Sequence, residues 1–140
     1  MAQPDLSRFV EAQNGVFETA LAEIASGRKR THWMWFIFPQ LRGLGHSAMA
    51  QHYGIASLEE ARLYLDHVLL GARYRSCVAA LNELAPADAV DVFGATDAMK
   101  LRSSLTLFDA VEPSTMFQEA LARFFHGKRD EATLRILSGG

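Results

Sequence analysis

Lys100, Ser103 and Ser104 are the residues of this chain best placed by type and spacing to do chemistry. An ammonium beside two hydroxyls can bind an anion, or help a hydroxyl to act as a nucleophile. On a helix turning ~100° per residue, Leu101, Leu105 and Phe108 form one arc. Arg102, Thr106 and Asp109 lie opposite, on what reads as the solvent side. Lys100 and Ser104 fall at the edge of the apolar arc, with Asp97 nearby. A polar pair there either faces a cavity or belongs to a Lys100–Asp97 ion pair whose lysine stem covers apolar surface.

Two other segments could share such a cavity. The run from Thr31 to Gln40 holds both tryptophans, Trp33 and Trp35, together with Phe36 and Phe38. Each packed aromatic hides roughly 150–250 Å², so this run organises much of the core. Truncating either tryptophan is expected to destabilise the domain by roughly 3–5 kcal/mol. Its polar flanks, His32 and Gln40, leave room for a second use, with an indole stacked on a flat ligand. The second segment, Gly43 to Ala48, fits a G-x-G-x-x-A dinucleotide pattern. Pro39 interrupts the strand that a Rossmann unit would need, so that reading fails. What remains is a tight turn with Ser47 as helix cap, or a turn whose backbone N–H groups face an anion.

The remaining reactive types point elsewhere. None of the five histidines makes a metal-ligand spacing, so no metal is expected. Glu60, Tyr64 and His67 share a helix face and read as a buried hydrogen-bonded cluster. Cys77 lies on an apolar stripe with Tyr74, Val78 and Leu81 and reads as core. Arg28-Lys29-Arg30 follows a helix end, where the macrodipole favours cations. One internal echo relates Phe17–Arg28 to Phe117–Lys128 at identical spacing. Amphipathic helices with glycine caps resemble one another, so it carries little weight alone.

Composition narrows the class. The chain has 140 residues, 49% of them apolar and 21% charged, with net charge −2. That length suits one domain, residues 1–140. No basic field would attract nucleic acid, and no apolar run spans a membrane. The N-terminus shows no secretory signal, and one cysteine cannot form an internal disulfide. Both fit a cytoplasmic location.

The elements read as helices. Asp5 caps a first helix through Phe9, Val16, Phe17, Leu21 and Ile24, which Gly27 ends. Thr31 caps a short helix through the aromatic run, stopped before Pro39. Ser57 with Glu60 is a capping box for a helix from Leu58 to about His67. Another runs from about Leu69 to Leu84, ending before Pro86. Thr96 caps a helix from Asp97 to about Asp109. Ser114 starts one that ends at His126-Gly127, and Asp130 caps the last. The alternation in Ala89–Phe93 competes as a strand that could pair with Trp33–Phe38. An isolated ribbon is marginal, so the expected fold is all-α, a multihelical domain with at most one very short two-stranded ribbon.

The residues also resemble a bacterial family catalogued as domain of unknown function 1810. The matching pieces include His32–Gln40, Gly43–Ser47, Tyr53-Gly54-Ile55, Tyr64-Leu65, Gly71-Ala72-Arg73 and Ser103–Phe108, with Lys100. They cover nearly the whole chain. The departures are Val68, Tyr74 and Leu105, where proline, leucine and methionine are usual. The resemblance implies a compact multihelical fold and no particular activity. The label calpastatin, carried by some members, denotes a disordered protease inhibitor without such an aromatic core.

The leading functional expectation is a domain that binds a small anionic or nucleotide-like ligand near the aromatic segment, with a catalytic role left open. The binding candidates are Trp33, Trp35, Gln40, Gly45, Ser47, Lys100, Ser103 and Ser104, and the catalytic candidates are His32, Lys100 and Ser104. No cofactor, nucleic acid or membrane partner is implied, and the sequence leaves the oligomeric state open. The rival is a protein-interaction module whose aromatic run is only core.

Overall fold

In the computed structural model, residues 6–85 and 88–139 are described. Among them lie ten helices: α1 (Ser7–Gln13), α2 (Phe17–Ser26), α3 (Met34–Ile37), α4 (Ala48–Tyr53), α5 (Leu58–Asp66), α6 (Leu70–Glu83), α7 (Ala89–Phe93), α8 (Ala95–Val111), α9 (Thr115–Phe125) and α10 (Glu131–Leu137). The fold is all-α and compact. The one β contact among the described residues is a parallel bridge between Leu41 and Ile55, closed by two backbone hydrogen bonds. It is not the ribbon the alternation suggested. Trp33–Phe38 holds helix α3, and Ala89–Phe93 is helix α7. Asp88 caps α7 by accepting the Val90 N–H, and a cap plus tertiary packing outweighs a short alternating pattern.

Local chemistry explains most helix ends. Ser47, Ser57, Ser114 and Asp130 each accept a backbone N–H from the first turn of the helix that follows. Gly27 closes α2 in the left-handed conformation. Three expectations need correction. The first helix is two, because Asn14-Gly15 breaks it, and Gly15 has φ +76°, which the helix cannot continue through. Thr31 does not cap α3; its hydroxyl and N–H donate to Glu23 instead. Thr96 lies inside the first turn of α8, whose cap position is Gly94. The Asp5 cap and Pro86 lie outside the described residues.

Helix α8 runs through the middle. It packs against α3, α5, α7, α9 and α10, and Ser103 to Asp109 are all buried. Thr106 and Asp109 therefore do not face solvent. Thr106 donates to the Arg102 carbonyl and accepts the Asp130 N–H. Asp109 accepts from the Ser114 N–H and the Gln118 amide, and pairs with Arg129. The wheel misplaced them because neighbours cover both sides of this helix.

The core around α8 is rich in rings. Tyr74 contacts Phe38, Tyr64, Phe108 and Phe117. Cys77 is buried beside them, and burial pushes its thiol up to about 12, so it remains a protonated core residue. The echoed helices α2 and α9 both pack on α6. Ala20 and Ile24 in one, and Ala120 and Phe124 in the other, are buried at corresponding positions.

Candidate functional site

The two tryptophans, Trp33 at the cap position of α3 and Trp35 inside it, go to different places. Trp33 is fully buried. Its indole N–H donates to Glu23 at 2.9 Å, and Phe38 and Phe93 pack against its ring. It has no free face and cannot stack on a ligand. Trp35 is half-buried, and the Lys100 ammonium lies 3.8 Å from its ring centroid. That cation occupies one indole face.

Lys100 is one half of a paired arrangement. It donates to Oδ1 of Asp97 at 3.2 Å, while Lys29 approaches Oδ2 at 2.8 Å. Lys29 also donates to the Thr31 carbonyl and sits 5.1 Å from the Trp33 ring. Each lysine thus leans on one tryptophan and one oxygen of a single carboxylate. Burial alone would raise the Asp97 carboxyl. The hydrogen bonds and charges of Lys29 and Lys100 outweigh it and hold the group below its ordinary value. Asp97 is thus shared between two ammonium groups.

Two cavities meet at Trp35 and Lys100. The smaller, about 100 Å³, lies among Lys29, His32, Trp33, Asp97 and Lys100. The larger, about 270 Å³, is lined by Trp35, Gln40, Gly45, Lys100, Ser103 and Asp130, with Leu44 and Met99 as its apolar walls. Of the residues singled out from the sequence, these two hollows collect Trp35, Gln40, Gly45, Lys100 and Ser103 on one side and His32 with the enclosed Trp33 on the other. They do not collect Ser47 or Ser104. The Ser47 oxygen caps α4. Ser104 is enclosed in the core, 2.9 Å from the Tyr74 hydroxyl. Burial drives the Tyr74 phenol well up despite that hydrogen bond, so the pair is a protonated core contact. Ser103 donates to the Met99 carbonyl one turn back, so its proton is engaged by backbone rather than by a base.

Glu60, Tyr64 and His67 serve three separate purposes. Glu60 binds Arg8 and the Ala56 N–H. Tyr64 joins Gln13 and the Phe36 carbonyl. His67 accepts the Leu69 and Leu70 N–H groups. No group of three or more metal-ligating side chains occurs among the described residues.

Two residues that shape this site were passed over in the sequence. Lys29 reads as an ordinary helix-end cation, and nothing in the run Arg28-Lys29-Arg30 separates it from its neighbours. Glu23 carries no distinguishing spacing, yet it holds the segment of chain that carries Lys29 and His32. It accepts from the Arg30 and Thr31 N–H groups, the Thr31 hydroxyl and the Trp33 indole. Desolvation pushes its carboxyl up, but those four donors prevail and hold it at about 2, against an ordinary 4.5. A depressed carboxylate stabilises the fold above its unfolded pKa, and the contribution is lost as pH falls through the folded one. The stability difference between wild type and Glu23→Gln is therefore expected to be full above about pH 4.5 and to shrink towards pH 2. Urea denaturation across that range measures it, and a pH-independent difference would refute the assignment.

No helix among the described residues is long and apolar enough to cross a membrane. Comparison with curated proteins gives no match. A solved structure, that of the conserved hypothetical protein Rv1873 from Mycobacterium tuberculosis, is similar over 96% of both chains, at 46% identity and a TM-score of 0.93. The family model described as a protein of unknown function (DUF1810) matches residues 3–137. This chain is a member of the DUF1810 family.

Proposed function

We propose that this domain binds a small monoanionic metabolite in the cavity between Trp35 and Lys100. The observation that carries the reading is the placement of Lys100: it lines the cavity while sharing the carboxylate of Asp97 with Lys29. Lys100 gives one of its three N–H donors to Asp97, which leaves donors for a ligand. Its side chain is largely shielded from water, so a second anion gains more there than at an exposed lysine. The apolar walls from Leu44, Met99 and the edge of Trp35 suit a carboxylate or phosphate ester with an apolar body. At about 270 Å³ the space is just below the usual range for drug-sized ligands, roughly 300–1,000 Å³. The Gln40 amide offers a neutral polar contact.

The reading is one of binding. The Ser103 proton is engaged by backbone and Ser104 is enclosed, so neither hydroxyl has the partner a nucleophile needs. A thermal-shift screen with a panel of small carboxylates and phosphate esters tests it. A ligand specific for the folded state raises Tm by mass action. Wild type is expected to respond to at least one monoanion. Lys100→Met should abolish that shift and leave the unliganded Tm close to wild type. A shift retained in Lys100→Met would place the ligand elsewhere and sink the reading.

A further inference from the structure

We infer that the cleft between α8 and the α9–α10 connection is a second site, for a small phosphate-bearing molecule. Two hollows, about 580 and 460 Å³, meet there, and Arg102 and Lys128 line both of them. Arg123 and His126 stand on one side and Arg129 on the other.

The cations at the meeting point are under-used. Arg102 Nε is buried and has no hydrogen-bond partner. Its guanidinium reaches Asp130 only at 3.8 Å. Arg102 therefore has unmet hydrogen-bonding capacity, and its side chain is still about a third exposed towards the hollows. Lys128 is exposed, and its ammonium has no partner among the described residues. Three acids line the hollows as well: Asp130 and Asp88 are engaged as acceptors, and Glu131 is exposed beside Arg129. Asp130 takes the Thr133 N–H and hydroxyl, and Asp88 takes the Val90 N–H.

The walls are also held in place. The Asp130 N–H is fixed to Thr106, and Arg129 is fixed to the buried Asp109. Arg123 is tied to the Leu84 carbonyl at 2.7 Å. These bonds leave little ordering to be done when a ligand arrives. A guanidinium fork with an adjacent point-charge lysine matches the oxygens of a phosphate. The partly buried Phe125 gives the second hollow an apolar wall for the rest of the molecule. Macrodipole attraction at the end of α9 accounts for Lys128 and Arg129, but not for Arg102, which comes from the middle of α8.

This cleft abuts the Trp35–Lys100 cavity along Asp130 and Ala132, so the test must separate them. Inorganic pyrophosphate is titrated into the full chain at low ionic strength by calorimetry. Saturable binding of one equivalent is expected. Lys128→Gln and Arg102→Gln should each weaken it by about tenfold or more, the loss of one charge-assisted hydrogen bond. Lys100→Met should leave it unchanged, whatever that variant does to the monoanion response. Lys128 is exposed, so its variant tests the idea even if Arg102→Gln fails to fold. The inference is overturned by the absence of saturable binding or by undiminished affinity in Lys128→Gln. It is equally overturned by loss in Lys100→Met, which would put the anion in the first cavity, or by an equal loss in Arg28→Gln, which would mean diffuse charge.

Discussion

Trp33→Ala is expected to lower the unfolding free energy by about 3–5 kcal/mol, the range for removing a buried large aromatic. The ring is completely enclosed between Phe38 and Phe93, and Lys29 leans on it. Truncation also leaves Glu23 without its indole donor. A domain of this size has only about 5–15 kcal/mol in total, so the variant should unfold at much lower urea. Trp35→Ala should cost clearly less, because Trp35 is half-buried and its chief contact is the Lys100 ammonium. The sequence made the two tryptophans equal, and the structure separates them. Equal midpoint shifts for the two variants would contradict this packing.

The second large effect is expected at Gly71. A methyl at this position in the first turn of α6 would overlap the carbonyl oxygen of Leu65, near the end of α5. That carbonyl already accepts from Arg75 at 3.1 Å. The obstacle is backbone, which no rotamer change can move aside. Gly71→Ala should therefore destabilise by about 3 kcal/mol, at the upper end of overpacking costs. In an unobstructed helix the same change would be mildly stabilising. Because α6 carries Tyr74 and Cys77 into the core, near-UV circular dichroism should change as well. A stability within about 1 kcal/mol of wild type, an ordinary surface-substitution effect, would mean that the α5–α6 junction relaxes freely.

Legibility in the sequence followed the range of each interaction. Caps are local, so Ser47, Ser57, Ser114 and Asp130 could be read directly. Gly15 is also local, but the apolar spacing from Phe9 to Ile24 continues through it and conceals the break. Ala89–Phe93 shows the limit of periodicity, since five residues are too few to separate a strand from a capped helical turn. Thr106 and Asp109 show another limit. A helical wheel assumes one buried face, and α8 is covered on several. The site was half legible. Lys100, Trp35, Gln40, Gly45 and Ser103 could be gathered because their neighbours mark turns and edges. Lys29 and Glu23 enter through contacts that depend on how α2 returns towards α8, and no local spacing records that. Ser104 was misplaced by a single step around the wheel, enough to turn it from the cavity to Tyr74.

The burial of α8 has a consequence for how the molecule breathes. Its central amides sit under neighbouring helices on several sides, so no small opening reaches them. They should exchange with deuterium only when the whole chain unfolds, more slowly than those of α1 or α10. Lys100 and Arg102 are mounted on that slowest-exchanging segment, while the Gly43–Ser47 turn and the α9–α10 connection are surface loops facing them. Any gating of ligand entry must then come from the loops, with the cations as the stationary partner. Ligand binding should therefore add protection to amides in residues 43–47 and 126–130 while leaving those of α8 at their already maximal protection.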